Sequence, residues 1–405
     1  MEAHSIPVPV ARAAAPPRPH ALARPFGLAW PLAATVFAAT SIVLGLIWDI
    51  SWHLSIGRDT FWTPAHLGIY LGGTLAGVAN GALILHTTLR GTAEARARSV
   101  GFWGLRGPLG AYVSVWGAGA MLTSAPFDDW WHNAYGLDVE ILSPPHVVLL
   151  LGIFFVIGGA CVTALQAQNA AEAAGDPRAG RPRAAFAYAL GLLLTMGALA
   201  VWSQTRPVDA HYPFYYQYAV VPLTFVLAAA LRGLRGRLPA TRVALVYMAV
   251  LLLMGWALWP WPATPRLGPI RQDTTHMVPL GFPLLLAAPA FAMDWVARRL
   301  DPAAGAVRRW AHALALGLTF LLVFALVQWP LAAFLMSDAG RNALFLEGRF
   351  PYSMPASDAW GRGVFLPYWG TATEYGRGMG WAALWAVLAA RGGLAWGTWM
   401  RGVRR

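Results

Sequence analysis

Residues 27–53 decide the fold. Positions 27–48 read GLAWPLAATVFAATSIVLGLIW, without a charged side chain, and Asp49-Ile50-Ser51-Trp52-His53 follows directly. About 20 apolar helical residues cross a ~30 Å hydrocarbon core, whereas the apolar part of a cleaved leader is roughly 7–15 residues long. The run therefore reads as a retained membrane helix that ends in an acid and an imidazole. Nine similar runs follow, near 64–89, 105–124, 145–168, 185–204, 215–232, 242–260, 277–297, 311–335 and 379–399. The last contains Arg391, whose long side chain can snorkel to the interface. The expected fold is all-α: a polytopic integral membrane helical bundle of about ten transmembrane helices, with both termini cytoplasmic.

Composition agrees with that reading. Of 405 residues, 57% are hydrophobic and 12% charged, against about 25% charged in an average soluble domain. This excludes a disordered chain, a nucleic-acid-binding module and a simple soluble enzyme. The net charge is +12, and all 30 basic residues are arginine. Placing the tail inside and alternating the loops puts 22 arginines and 6 acids on the inner face, with 8 arginines and 12 acids outside. The inner face then carries +16 and the outer face −4, as the positive-inside rule requires. The basic balance is thus a topology signal and calls for no nucleic acid. The expected location is a bacterial inner (cytoplasmic) membrane, with the lipid bilayer as the first partner. Cys161 is the sole cysteine, so disulfides and cysteine-based metal sites are excluded.

The same alternation puts His53, His66, His132, His146, His211 and His276 on the outer side. Asp49 and His53 are four residues apart, so one helical face presents both. His66 follows after a short connection, just past Pro64, a residue suited to the first turn of a helix. The second hairpin repeats the plan with Asp128, His132 and, after Pro144-Pro145, His146. Each hairpin can gather two imidazoles and one carboxylate and leave coordination positions open. The competing reading, helix caps and interfacial anchors, accounts for isolated histidines but not for the repetition.

The stretch Asp49, Trp52, His53, Arg58-Asp59-Thr60, Thr63-Pro64 and His66 resembles the metal motif of the third, metal-binding membrane subunit of the copper membrane monooxygenases. That family includes particulate methane monooxygenase and ammonia monooxygenase. Asp128, Trp130, His132, the proline pair and His146 are similar to the second metal site of the same subunit, where an asparagine usually stands in place of Asp128. The resemblance spans roughly residues 48–155. It implies copper held by Asp49, His53 and His66 and again by Asp128, His132 and His146. The first set would be the catalytic one. The carboxylate at 128 favours a harder or more oxidised metal, and the two-His, one-carboxylate set leaves iron open. The resemblance further implies O2 as co-substrate, a quinol as electron donor, companion monooxygenase subunits, and a small substrate such as methane, ammonia or a short hydrocarbon.

The chain divides into a disordered cytoplasmic tail at 1–25, a four-helix metal-binding half at 26–170, and a second half of about six helices at 171–405. That second half includes a long, aromatic-rich outer segment at 336–378. Asp209 with His211, and Asp273 with His276, lie in two more outer loops and faintly echo the metal hairpins, either as a further metal or proton-relay site or as caps. Most tryptophans cluster at the outer edge as an aromatic belt. Trp52, Trp130 and Trp131 instead lie among the ligands and can wall a dry pocket. A non-enzymatic copper carrier, sensor or importer is the alternative. Copper(I) transfer favours Met and Cys ligands, which are absent from the outer sites.

Overall fold

Proline and glycine set the ends and crossings of the helices. The computed structural model describes residues 28–403 apart from 58–59, 137–142, 265–274, 302–303, 338, 341 and 346–369. The expected tail at 1–25 and most of the outer segment at 336–378 lie outside the described residues. The described helices of the first half are α1 (Trp30–Ser55), α2 (Pro64–Arg90), a short α3 (Ala93–Ala97), α4 (Leu109–Tyr135) and α5 (Pro144–Ala173). Those of the second half are α6 (Gly180–Trp202), α7 (Pro213–Gly233), α8 (Pro239–Leu258), α9 (Ala287–Ala297), α10 (Ala306–Leu335) and α11 (Ala372–Met400). Strands β1 (Val100–Phe102) and β2 (Leu105–Gly107) form a small antiparallel hairpin between α3 and α4.

Among the described residues, seven helices, α1, α2, α5, α6, α7, α8 and α10, are long and apolar enough to cross a membrane. The helices α4 and α11 are as long, at 27 and 29 residues. Glycine and tryptophan dilute their apolar character, and α11 also holds Glu374, Arg377 and Arg391. The run at 277–297, expected to be one membrane helix, is not. Its helical part is α9 alone, 11 residues long, and residues 277–286 are non-helical and almost wholly buried. Pro279, Gly281 and Pro283 explain the break, since proline removes a donor and clashes with the preceding turn. Buried irregular backbone needs partners from neighbouring helices. Tyr247 Oη donates to Pro283 O at 2.9 Å, and Gln328 Nε2 donates to Leu284 O at 2.5 Å.

In the first half, α1 packs on α2, α2 on α4, α4 on α5, and α5 back on α1. Small residues let these helices approach closely. A Cβ on Gly72 would lie 2.6 Å from the Ala38 carbonyl, and one on Gly117 would lie 2.6 Å from the Gly152 carbonyl. Late residues of one helix meet early residues of the next, so the hairpins α1–α2 and α4–α5 are antiparallel and both of their short connections emerge at one end of the bundle. The β-hairpin lies at the other.

The helix α6 is the most enclosed of the seven, with 78% of its apolar window buried. It joins the halves by packing on α5, α1, α7 and α8. Thr40 Oγ1 on α1 donates to Tyr188 Oη on α6 at 3.1 Å. In the second half, Tyr215 stacks on Phe324 at 5.8 Å between ring centres, and its hydroxyl donates to Gln328 Oε1 at 3.0 Å.

Candidate metal centres

The two hairpins place their ligands at equivalent positions. Eight residues, 56–63 and 136–143, separate α1 from α2 and α4 from α5. His66 and His146 are each the third residue of the second helix, after proline in its first turn. Asp49 with His53, and Asp128 with His132, lie near the ends of α1 and α4 and share a face through their i,i+4 spacing. Thr63 and Ser143, just before the second helices, are buried in both.

The contacts repeat as well. In the first centre Asp49 Oδ1 lies 3.1 Å from His66 Nε2, and Asp49 Oδ2 lies 3.8 Å from His53 Nε2. In the second, Asp128 Oδ1 lies 3.3 Å from His146 Nε2, and Asp128 Oδ2 lies 3.5 Å from His132 Nε2. Each carboxylate thus reaches both imidazoles through the same nitrogen. The donor atoms of Asp128, His132 and His146 all fall within 4.8 Å of one another, close enough to hold one metal ion. For the first set the closest donor distances are the two from Asp49.

Two further features fit a cation. Among the described residues, Asp49 Oδ1 and Asp128 Oδ1 are buried and make no hydrogen bond of regular geometry, despite the nearby imidazoles. Their lone pairs are left for a charge held between the ligands. In addition, His132 Nδ1 lies 3.2 Å from Gly136 O. A carbonyl only accepts, so in the neutral ring Nδ1 carries the proton and Nε2 presents its lone pair towards Asp128. Metal-bound histidines are commonly oriented in this way.

Exposure differs between the centres. The Asp49 side chain is 15% exposed and that of Asp128 is 33% exposed. Tryptophan precedes the first histidine in both, and the indole Nε1 atoms of Trp52 and Trp131 are buried without a hydrogen-bond partner among the described residues. Aromatic residues lie near both sets in the chain and pack on one another. Phe61 packs on Trp62 and Tyr70, and Phe127, Trp130, Trp131 and Tyr135 form a second cluster.

The candidate residues of the second half make contacts of a different kind. Asp209 Oδ2 accepts from Arg206 N at 2.6 Å and from Thr205 Oγ1 at 3.1 Å, closing the turn Pro207–His211. The His211 ring packs edge-on against Trp329. His276 stacks on Trp259, with Nδ1 2.9 Å from Thr275 Oγ1. Asp273 lies outside the described residues. Among the described residues, Asp209, His211 and His276 belong to no three-donor group.

Two parts of the sites escape sequence reasoning. The Gly136 carbonyl that orients His132 is marked only by a glycine following an aromatic-rich helix end. Ser51 and Ser55, which flank Trp52 and His53, are marked only by their own i,i+4 spacing. The chain matches no protein-family model, no curated protein and no solved structure.

Proposed function

We propose that this chain is a membrane copper-dependent monooxygenase, or a subunit of one, with two Asp/His/His centres at one end of its helical bundle. One observation carries the reading: two hairpins, alike in connection length, helix position and ligand atom, each bring one carboxylate against two imidazole Nε2 atoms. The resemblance of residues 48–155 to the metal-binding membrane subunit of the copper monooxygenases supplies the metal and the reaction class.

Asp49, His53 and His66 would hold one ion, and Asp128, His132 and His146 the other. Copper in such a site would supply the binding and activation of O2, with electrons from a quinol in the bilayer. The protein's part is positional. The i,i+4 pairs set two ligands on one rigid helix, and the third comes from the first turn of the next. The aromatic groups beside the two sets suit a small apolar substrate or ammonia. The arginine distribution supports a periplasmic position for both centres, and the exposed aromatic rings beside them suit an interface that companion subunits or headgroups cover.

Both sets have the composition of an iron-binding facial triad, which makes iron the second reading. Metal analysis of the purified protein separates the readings. The expected result is two copper ions per chain, with His53→Ala and His132→Ala each losing one. Oxygen uptake with a short hydrocarbon or ammonia is expected for the native chain and absent in Asp49→Ala. Copper-free protein whose metal content ignores both histidine substitutions would refute the proposal, and bound copper without oxygen uptake, in native membranes that also hold any companion subunits, would point to a carrier or sensor.

A further inference from the structure

The end of α1 is gripped from behind by the buried non-helical segment at 277–283. Ser51 Oγ donates to Val278 O at 2.7 Å, and Val278 N donates to Ser55 Oγ at 2.7 Å. Both backbone groups of Val278 are therefore satisfied by α1 side chains, much as a neighbouring strand would satisfy them. All three residues are buried, at 0%, 3% and 0% exposure for Ser51, Ser55 and Val278. The segment is anchored on its other side, where Met277 N donates to Trp261 O at 3.0 Å and Ala263 N donates to Thr275 O at 2.9 Å. At about 100° per residue, Ser51 and Ser55 face roughly 200° away from Asp49 and His53. The ligands occupy one face of the last two turns and the clamp holds the opposite one.

Among the described residues, the second centre has no such support. The positions equivalent to Ser51 and Ser55 are Trp130 and Ala134, and both are exposed. The two ligand sets repeat, but their settings do not.

We infer that Ser51 and Ser55, clasped by Val278, are positioning residues for the first metal centre, so that the second half of the chain pre-organises Asp49 and His53 while the second centre stands without it. The inference rests on the proposed metal binding. It assigns a role to the broken helical run, which the ligand motif alone does not explain.

Copper(II) titration of the full-length protein in detergent tests it. His132→Ala isolates the first centre and His53→Ala the second, and each is compared with and without Ser51→Ala and Ser55→Ala together. The expected result is a loss of roughly 10- to 100-fold in affinity at the first centre, the usual scale for removing support behind a metal ligand, with the second centre unchanged. The paramagnetic spectrum of the first centre should shift in the same variant. Unchanged first-centre affinity overturns the inference, as does an equal loss at both centres, which would mark general destabilisation. If neither centre of the native chain binds metal, the metal reading itself fails, and that outcome is distinct from both.

Discussion

Gly136 has φ +93° and ψ 168° and ends α4. Only glycine takes this conformation without strain, and its carbonyl faces His132 Nδ1. Gly136→Ala should cost about 1–3 kcal/mol in backbone strain or shift the carbonyl. The expected outcome is a roughly 10- to 100-fold weaker second centre, read by metal titration in the His53→Ala background, and an unaffected first one, read in the His132→Ala background. Full second-centre affinity in that variant would show that the carbonyl does not orient the ring. The carboxylates invite a matching comparison. Asp128→Asn keeps the shape and removes the charge, so it should retain copper at the second centre while lowering its preference for harder ions. Competitive loading with copper and iron, followed by elemental analysis, checks this. At this scale the sequence is highly informative, because each ligand trio sits within one hairpin and the i,i+4 pair needs only a helix to bring it together.

Elements meet through glycine contacts that leave no space for side chains. A Cβ at Gly117 would lie 2.6 Å from Gly152 O and 2.7 Å from Val156 N, and both are backbone atoms that cannot rotate away. Gly117→Val should therefore spread α4 from α5 at a cost of about 1–3 kcal/mol. It should also weaken the second centre, whose ligands straddle that pair. Thermal unfolding in detergent and second-centre copper affinity should fall together, and native values of both would contradict the packing argument. Within the second half, Gln328 links Tyr215 to the Leu284 carbonyl. Gln328→Leu leaves two buried groups without their partner, at about 1–3 kcal/mol each, and tryptophan fluorescence on heating should report the earlier transition. Hydropathy alone makes the apolar run at 277–297 look like a helix. Two prolines and a glycine within five residues are the contrary signal, but neighbouring side chains have to be in place before an extended chain is tolerable there.

Across the whole molecule, the outward faces are apolar. Leu326, Leu322, Val78 and Leu253 are 74%, 68%, 66% and 64% exposed, on helices α10, α2 and α8. A water-soluble monomer does not leave so much apolar surface uncovered, whereas lipid covers it without cost. The arginine asymmetry predicts which end faces the cytoplasm. With Cys161 replaced by alanine, cysteines at the exposed positions Ala95 and Thr60 test that orientation. A membrane-impermeant maleimide should label Thr60→Cys in intact spheroplasts and Ala95→Cys in inverted vesicles. The reverse pattern would place the metal centres on the cytoplasmic side.

The sequence by itself determined the all-helical membrane class, the position of most helices and the composition of each ligand set. Those features are local: hydropathy over about 20 residues, or side chains four residues apart and one turn away. The tertiary structure alone decided that the buried non-helical chain at 277–286 finds partners in Tyr247 and Gln328, and that Val278 clasps α1 behind the first centre. The two clasp hydrogen bonds join residues 227 and 223 positions apart. No periodicity links residues so far apart, and only the packing of the second half against α1 brings them within hydrogen-bond distance.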